Sequence, residues 1–371
     1  MSRQRQIELP ETYRTADRDA MRSAIVGLKK RLGERLLILA HHYQTDDVHI
    51  HGDATGDSLE LSRRAAAVQS PELKYIVFCG VRFMAETADI LAPDGSERAV
   101  ILPHLDAGCS MAAMANADDA DRALGQLIDL NAGKRIIPVT YVNSSAEIKA
   151  FVGRNDGVCC TSGNASAVLK WALSRGGQVL FLPDEHLGRN TAIELGVPPD
   201  RIALYDQRAL DGATDDDAIR RATVVLWKGF CLLHQLFTPD DVLRARANDP
   251  SAKIIVHPEC SREVVALSDQ SGSTAKIIKI VEASEPGSRW VVGTEANMVA
   301  RLARAQAARG VSVRSLSDRP RPCVTMQLTT APYLWYVLDR LANGEIVNRI
   351  SVDPAIRADA RIALERMLEL G

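Results

Sequence analysis

The sequence predicts an α/β protein built from three similar α/β/α sandwich domains with parallel sheets. Three observations carry this expectation. Apolar strands alternate with helix-length amphipathic segments, the alternation recurs three times, and each recurrence ends its first strand in a cluster of polar residues. Strands alternating with helices of this length argue for parallel sheets covered on both faces, with right-handed crossovers fixing the side on which each helix lies.

The elements follow in order. The first strand of each repeat is an apolar run with a basic lead-in: "RLLILAHHYQ" (35–44), "KRIIPVTYVN" (134–143) and "AKIIVHPECS" (252–261). A turn rich in Gly, Ser and Thr then opens an apolar-periodic helix: "TGDSLELSRRAA" (55–66), "CTSGNASAVLKWAL" (160–173) and "SGSTAKIIKIVEA" (271–283). A second strand running through a polar turn into a helix comes next, at 74–88, 177–192 and 288–303. The third strands fall within 98–112, 222–235 and, more weakly, 310–327. The order β-α-β-α-β therefore appears three times. It divides the chain into repeats at 30–115, 116–240 and 241–345, with 310–345 able to pack across repeats. Residues 1–29 and 346–371 are terminal helical extensions, the latter containing the amphipathic "PAIRADARIALERMLEL".

Composition narrows the partners. A chain of 371 residues, 46% hydrophobic and 25% charged, buries several cores. A net charge of -2 with no basic stripe gives no electrostatic reason to expect nucleic acid or an anionic membrane. The N-terminus has no apolar signal region, and no stretch reaches the roughly 18 apolar residues of a membrane span, so a cytoplasmic protein is expected. Seven cysteines in such a chain argue against a disulfide framework and for thiols or metal-bound thiolates.

In open parallel sheets, ligands bind outside the carboxyl ends of the strands, where helix N-termini present N–H groups. His41 and Tyr43, Tyr141 and Asn143, and His257 and Glu259 all fall at that edge. If the three edges face inward, these six side chains share one cavity. His41 and Tyr43 then face it, and strand alternation turns His42 away. Ser58, Ser162, Ser273 and Thr274 lie in the following turns, as N-caps or, aimed at one cavity, as binders of a carboxylate or phosphate. Cys109, Cys231 and Cys323 each lie at or just beyond the third strand of a repeat, whereas Cys79, Cys159, Cys160 and Cys260 have no cysteine counterpart in the other two repeats. Three equivalent thiols can hold a zinc ion or three irons of a [4Fe-4S] cluster with one metal position open, and spacing does not choose between them.

The ordered motifs "AHHYQ", "GDSLELSRRA", "FCGVRFMAETADIL", "GCSMAAM", "VTYVNSSAEIKA", "CTSGNA", "FLPDEHLGRN", "GFCLLHQLFTPDDV", "VHPEC", "SGSTAKI", "VGTEANM" and "CVTMQL" resemble the quinolinate synthase family over residues 35 to 340. The resemblance implies three α/β/α domains in a pseudo-threefold arrangement around a central active site. It implies a condensing and dehydrating transferase of NAD biosynthesis that joins iminoaspartate and dihydroxyacetone phosphate into quinolinate. Its cluster ligands match Cys109, Cys231 and Cys323, the open iron acting as Lewis acid. His41, Ser58, Tyr141, Asn143, Ser162, His257, Glu259, Ser273 and Thr274 match substrate-binding and catalytic positions, and Tyr43 matches an active-site tyrosine. An aspartate oxidase is the implied supplier of iminoaspartate.

The chain departs from the family pattern at Val324, where a proline is expected, and at Thr329, where an asparagine is expected. The segment "FVGRNDGVCC" is longer than usual, and its paired Cys159 and Cys160 are unusual. A zinc-dependent hydrolase or lyase at the same cysteines, or at His41, His257 and Glu259, and a noncatalytic sensor of a phosphorylated metabolite are the competing expectations.

Overall fold

A computed structural model describes residues 6–68, 70–93, 97–131, 133–209 and 215–371; the first five residues of the N-terminal extension lie outside these. Among the described residues the strands form three sheets, parallel except for one edge strand. The first contains β1 (Leu36–His41), β2 (Ala54–Gly56), β3 (Tyr75–Cys79) and β4 (Ala99–Ile101), in the order β2-β1-β3-β4. The second contains β5 (Ile136–Tyr141), β6 (Val158–Cys160), β7 (Gln178–Leu182), β8 (Ile202–Tyr205) and β9 (Val224–Trp227), in the order β6-β5-β7-β9-β8. The third contains β10 (Lys253–Val256), β11 (Gln270–Ser271), β12 (Arg289–Gly293) and β13 (Ser312–Ser315), in the order β11-β10-β12-β13. A last strand, β14 (Arg349–Ile350), returns to the first sheet and pairs antiparallel with β4.

The α/β class and the threefold repetition of parallel units are thus as the sequence predicts. The strand count is not, because each sheet holds a short extra strand, β2, β6 or β11, where the sequence predicts only a turn, the second sheet adds β8, and β14 lies within the segment 346–371 that the sequence assigns to a helical extension. The segments β2, β6 and β11 read "ATG", "VCC" and "QS", too short to show any period. A short helix leads to each of them: Asp46–His49, Ala146–Arg154 and Arg262–Leu267. The second of these helices has nine residues against four and six.

The central strands are buried on both faces, which is why they read as unbroken apolar runs. All six residues of β1 and all six of β5 are buried. The chain divides into two compact units. The first comprises Met1–Cys109 and Pro322–Asp353 and contains the first sheet. Its core includes Ile25 of the helix Arg18–Leu32 and Leu334, Val337 and Leu338 of the helix Ala331–Ala342, packed with β1, β3 and β4. The second comprises Ser110–Arg321 and Pro354–Gly371 and contains the other two sheets.

Candidate active site

Strand register aligns the three repeats residue by residue. Ala40 pairs with Cys79, Thr140 with Leu182 and Val256 with Gly293, so His41, Tyr141 and His257 are equivalent, and Tyr43, Asn143 and Glu259 follow two residues later. In the first unit, His41 is buried and its Nδ1 accepts the Tyr43 N–H at 3.1 Å. The two rings meet edge to face, with centroids 4.7 Å apart. His42 has different neighbours, its Nε2 lying 3.9 Å from the Glu60 carboxylate and its ring stacking on His49.

In the second unit the polar residues concentrate on Glu259. This carboxylate is 2% exposed, and its Oε2 lies 2.6 Å from His234 Nδ1 and 3.9 Å from His257 Nδ1. Tyr141 donates a further hydrogen bond to it. Burial by itself would raise the Glu259 carboxyl, but the two histidines and the tyrosine outweigh burial and hold it below the usual carboxylate range. The His234 and His257 rings stack at 4.3 Å, and His234 Nε2 faces the Thr294 hydroxyl at 3.3 Å. Burial, then the His234 neighbour, push His257 down to about 3, so it is neutral. As with His41, its Nδ1 accepts the N–H of the residue two positions on, here Glu259 at 3.4 Å. In the neutral ring this leaves the proton on Nε2.

Asn143 occupies the equivalent place in the second sheet and has a buried Oδ1 with no hydrogen-bond partner among the described residues. The helix-opening turns separate capping from other roles. Asp57, not Ser58, caps the helix Ser58–Ala67, accepting from the Leu59 and Glu60 N–H groups in a capping box. Ser273 is a cap, its Oγ accepting the Lys276 N–H at 3.2 Å, whereas Thr274 is the first helical residue beyond it. In the second repeat Thr161 and Asn164 bond to each other, leaving Ser162 outside the cap. Capping therefore accounts for Ser273 alone among the four hydroxyls singled out from sequence.

The cysteines fall into two classes. Cys79, Cys159, Cys160 and Cys260 are fully buried. Desolvation pushes the Cys79 and Cys159 thiols up to about 12 and the other two well above their ordinary value, which keeps them as thiols packed in the core. Cys109, Cys231 and Cys323 are half-buried. Each stands three residues before a 3₁₀ turn: Ala112–Met114, His234–Leu236 and Met326–Leu328. Seven residues after each cysteine comes the N-cap of the next helix: Asn116, Thr238 and Thr330. The departures after Cys323 leave this register intact, because Val324 is 70% exposed and Thr329 is a buried donor to the Gly80 carbonyl.

Sequence reasoning missed His234, Asp184 and Thr294. His234 had a readable signal, a histidine three residues after Cys231. Together with Glu259 these two place ligand atoms within 4.8 Å of one another. Asp184 is fully buried beside Glu259, and both features raise its carboxyl well above the ordinary range.

The comparisons agree with this organisation. Residues 23–369 match the family model described as quinolinate synthetase A protein. The chain is 47% identical to a quinolinate synthase of Bacillus licheniformis over 362 residues, covering 98% of this chain and 96% of the relative. It is 47% identical to that of Geobacillus thermodenitrificans over 364 residues, with the same coverage, and 46% identical to that of Bacillus cereus over 361 residues, covering 97% and 96%. With the repeated strand order, the three cysteines in one register and near full-length identity of this size, the chain belongs to the quinolinate synthetase A family.

Proposed function

We propose that this chain condenses iminoaspartate with dihydroxyacetone phosphate, forming quinolinate with loss of phosphate and two waters, as a step of NAD biosynthesis with no net redox change. The observation that carries the reading is the shared register of Cys109, Cys231 and Cys323, each seven residues ahead of a helix N-cap, while the other four thiols are buried. Half-buried thiols at three equivalent loops fit the ligand set of a [4Fe-4S] cluster. Such a cluster supplies, when bound, one open iron as a Lewis acid for loss of a substrate oxygen as water. The pseudo-threefold grouping of the repeats around a central site belongs to the same reading and is supported by the common strand order.

The protein's own groups have definable work in this reaction. Glu259, held ionised, takes a proton at Oε2, and Tyr141, hydrogen-bonded to it, relays one from substrate. His41, whose Nδ1 accepts the Tyr43 N–H, and neutral His257 donate from Nε2 to carbonyl or carboxylate oxygens, and Tyr43 donates to an enol oxygen. The N-termini of the helices Ser58–Ala67 and Thr274–Glu282, with Ser58, Ser273 and Thr274, bind the carboxylates and the phosphate, joined by Ser162, while the orphaned Oδ1 of Asn143 accepts from a substrate N–H or O–H. A cytoplasmic location fits seven cysteines without a disulfide and, among the described residues, no helix long and apolar enough to cross a membrane. An aspartate oxidase is the natural source of the iminoaspartate.

A zinc site at Cys231, His234 and Glu259 is the second reading, favoured by the proximity of their ligand atoms. Against it, His234 Nδ1 and Glu259 Oε2 already satisfy each other at 2.6 Å and His234 Nε2 faces Thr294, so a cation must break one of these contacts. Metal and sulfide analysis of anaerobically purified protein, with a quinolinate assay, decides. Iron and labile sulfide in equal amounts, an air-sensitive visible band and product formation support the synthase. Zinc without sulfide establishes the second reading, and ligand binding without turnover establishes a sensor.

A further inference from the structure

We infer that Asn190 and Gln235 form a two-amide clamp that positions Glu259. The inference deepens the proposed function, since it assigns a role to residues that act through the carboxylate placed at its centre. Glu259 lies in a loop beyond β10, and three consecutive carbonyls of that loop are each taken by a side-chain amide from another element. The Asn190 Nδ2 donates to Pro258 O and to Cys260 O, both at 2.9 Å. The Gln235 Nε2 donates to the carbonyl between them, that of Glu259, at 2.9 Å.

The chemistry of these amides makes the clamp directional. Both Asn190 N–H bonds are used on carbonyls flanking Glu259, and the reversed amide would set its oxygen against two carbonyl oxygens, so the orientation is fixed. Asn190 is 6% exposed and sits in the helix Glu185–Glu194. The start of that helix is itself anchored, since the Glu185 N–H donates to Gly229 O in the loop that leads to Cys231. Gln235 directly follows His234, whose Nδ1 holds the Glu259 carboxylate. Glu259 is thus held at its carboxylate by residue 234, at its own carbonyl by residue 235, and at both neighbouring carbonyls by residue 190. Asn190 and Gln235 are positioning residues, as their side-chain N–H groups bond to the backbone that carries the acid.

The test uses the full-length, anaerobically purified protein. Asn190→Ala and Gln235→Ala are compared by backbone hydrogen exchange, read by mass spectrometry, and by steady-state kinetics alone and in a Glu259→Gln background. Asn190→Ala should speed exchange in the peptide spanning 257–262 by about tenfold or more, with little change in the sheets. It should lower kcat by about 10- to 100-fold, the range for a catalytic group displaced by an ångström, while KM stays within about threefold. In the Glu259→Gln background the same change should have almost no further effect on kcat. If exchange rises evenly over the chain or not at all in 257–262, or if the kcat loss persists in full without Glu259, the clamp is wrong. Gln235, at a partly exposed position, supplies the same readouts should Asn190→Ala fail to fold. Normal turnover by Glu259→Gln would remove the functional reading instead, and the exchange measurement would then decide the clamp by itself.

Discussion

His41 and His42 adjoin in sequence yet have different neighbours, because β1 ends at His41 and the turn closed by the Gln44 N–H on His41 O sets His41 against Tyr43 and His42 against Glu60 and His49. His41→Ala and Tyr43→Phe are therefore expected to lower turnover by about 10²-fold or more with the visible spectrum intact, the range for a lost polarising or acid-base group. His42→Ala, which removes the Glu60 and His49 contacts, should change kcat far less. Loss of the spectrum in Tyr43→Phe would instead place that residue in the metal's support. His51 governs a different property. Burial, together with Lys29 and Arg22, lowers it to about 4, while the unfolded chain titrates near 6.5. Below about 6.5 the unfolded state binds the extra proton, so the stability His51 leaves intact at neutral pH is lost as pH falls toward 4, by at most about 1.4 kcal/mol per pH unit. His257, lowered to about 3, acts in the same direction. Urea midpoints at pH 7.5 and pH 5 should therefore differ less in His51→Asn than in the parent, and an unchanged difference would exclude His51 as a source of acid sensitivity.

Elements that look alike in sequence can end differently, and the helix-opening turns are the clearest case. Ser273 caps its helix and Thr274 does not. Ser273→Ala should cost about 0.5 to 2 kcal/mol of stability, and Thr274→Ala should be nearly neutral in melting yet weaken binding of a phosphate- or carboxylate-bearing substrate. Equal melting losses in the two variants would contradict the cap assignment. The cysteine loops show the opposite pattern, with different sequences and one register. Serine at Cys109, Cys231 or Cys323 should abolish iron incorporation, whereas Cys79→Ala, at a fully buried site, should retain most of it. Full iron content in Cys231→Ser would overturn the ligand set. The periodic strands and helices were legible because each carries its own apolar pattern. The strands β2, β6 and β11 were not, since two or three residues show no period and are strands only because a neighbour supplies the hydrogen bonds.

Across the whole chain, segments distant in sequence complete each unit. The helix Pro354–Glu369 belongs to the second unit, where Ala360, Ala363, Leu364 and Met367 are fully buried. It packs on the helix Ala146–Arg154 so closely that a Cβ at Gly153 would meet the Asp359 carbonyl. Met367 O also accepts the Asn164 side-chain N–H at 3.1 Å, bracing the turn that carries Ser162. A chain ending at residue 353 should consequently unfold at lower urea, because removing Leu364 and Met367 alone forfeits about 1.5 to 3 kcal/mol of burial for each. Gly153→Val should show a smaller loss, about 1 to 3 kcal/mol from overpacking. Unchanged unfolding of the truncated chain would show the helix to be dispensable.

The sequence by itself determined the α/β class, the three repeats and the common register of Cys109, Cys231 and Cys323, because periodicity and repetition are properties of residues close together in the chain. Only the tertiary structure decided how Glu259 is held. His234 reaches it across 25 positions, and Asn190 reaches its flanking carbonyls across 68 and 70. No local pattern encodes such contacts. A hydrogen bond between distant residues exists only when the strands and helices carrying them have packed, so the pairing belongs to the fold and not to any segment of the sequence.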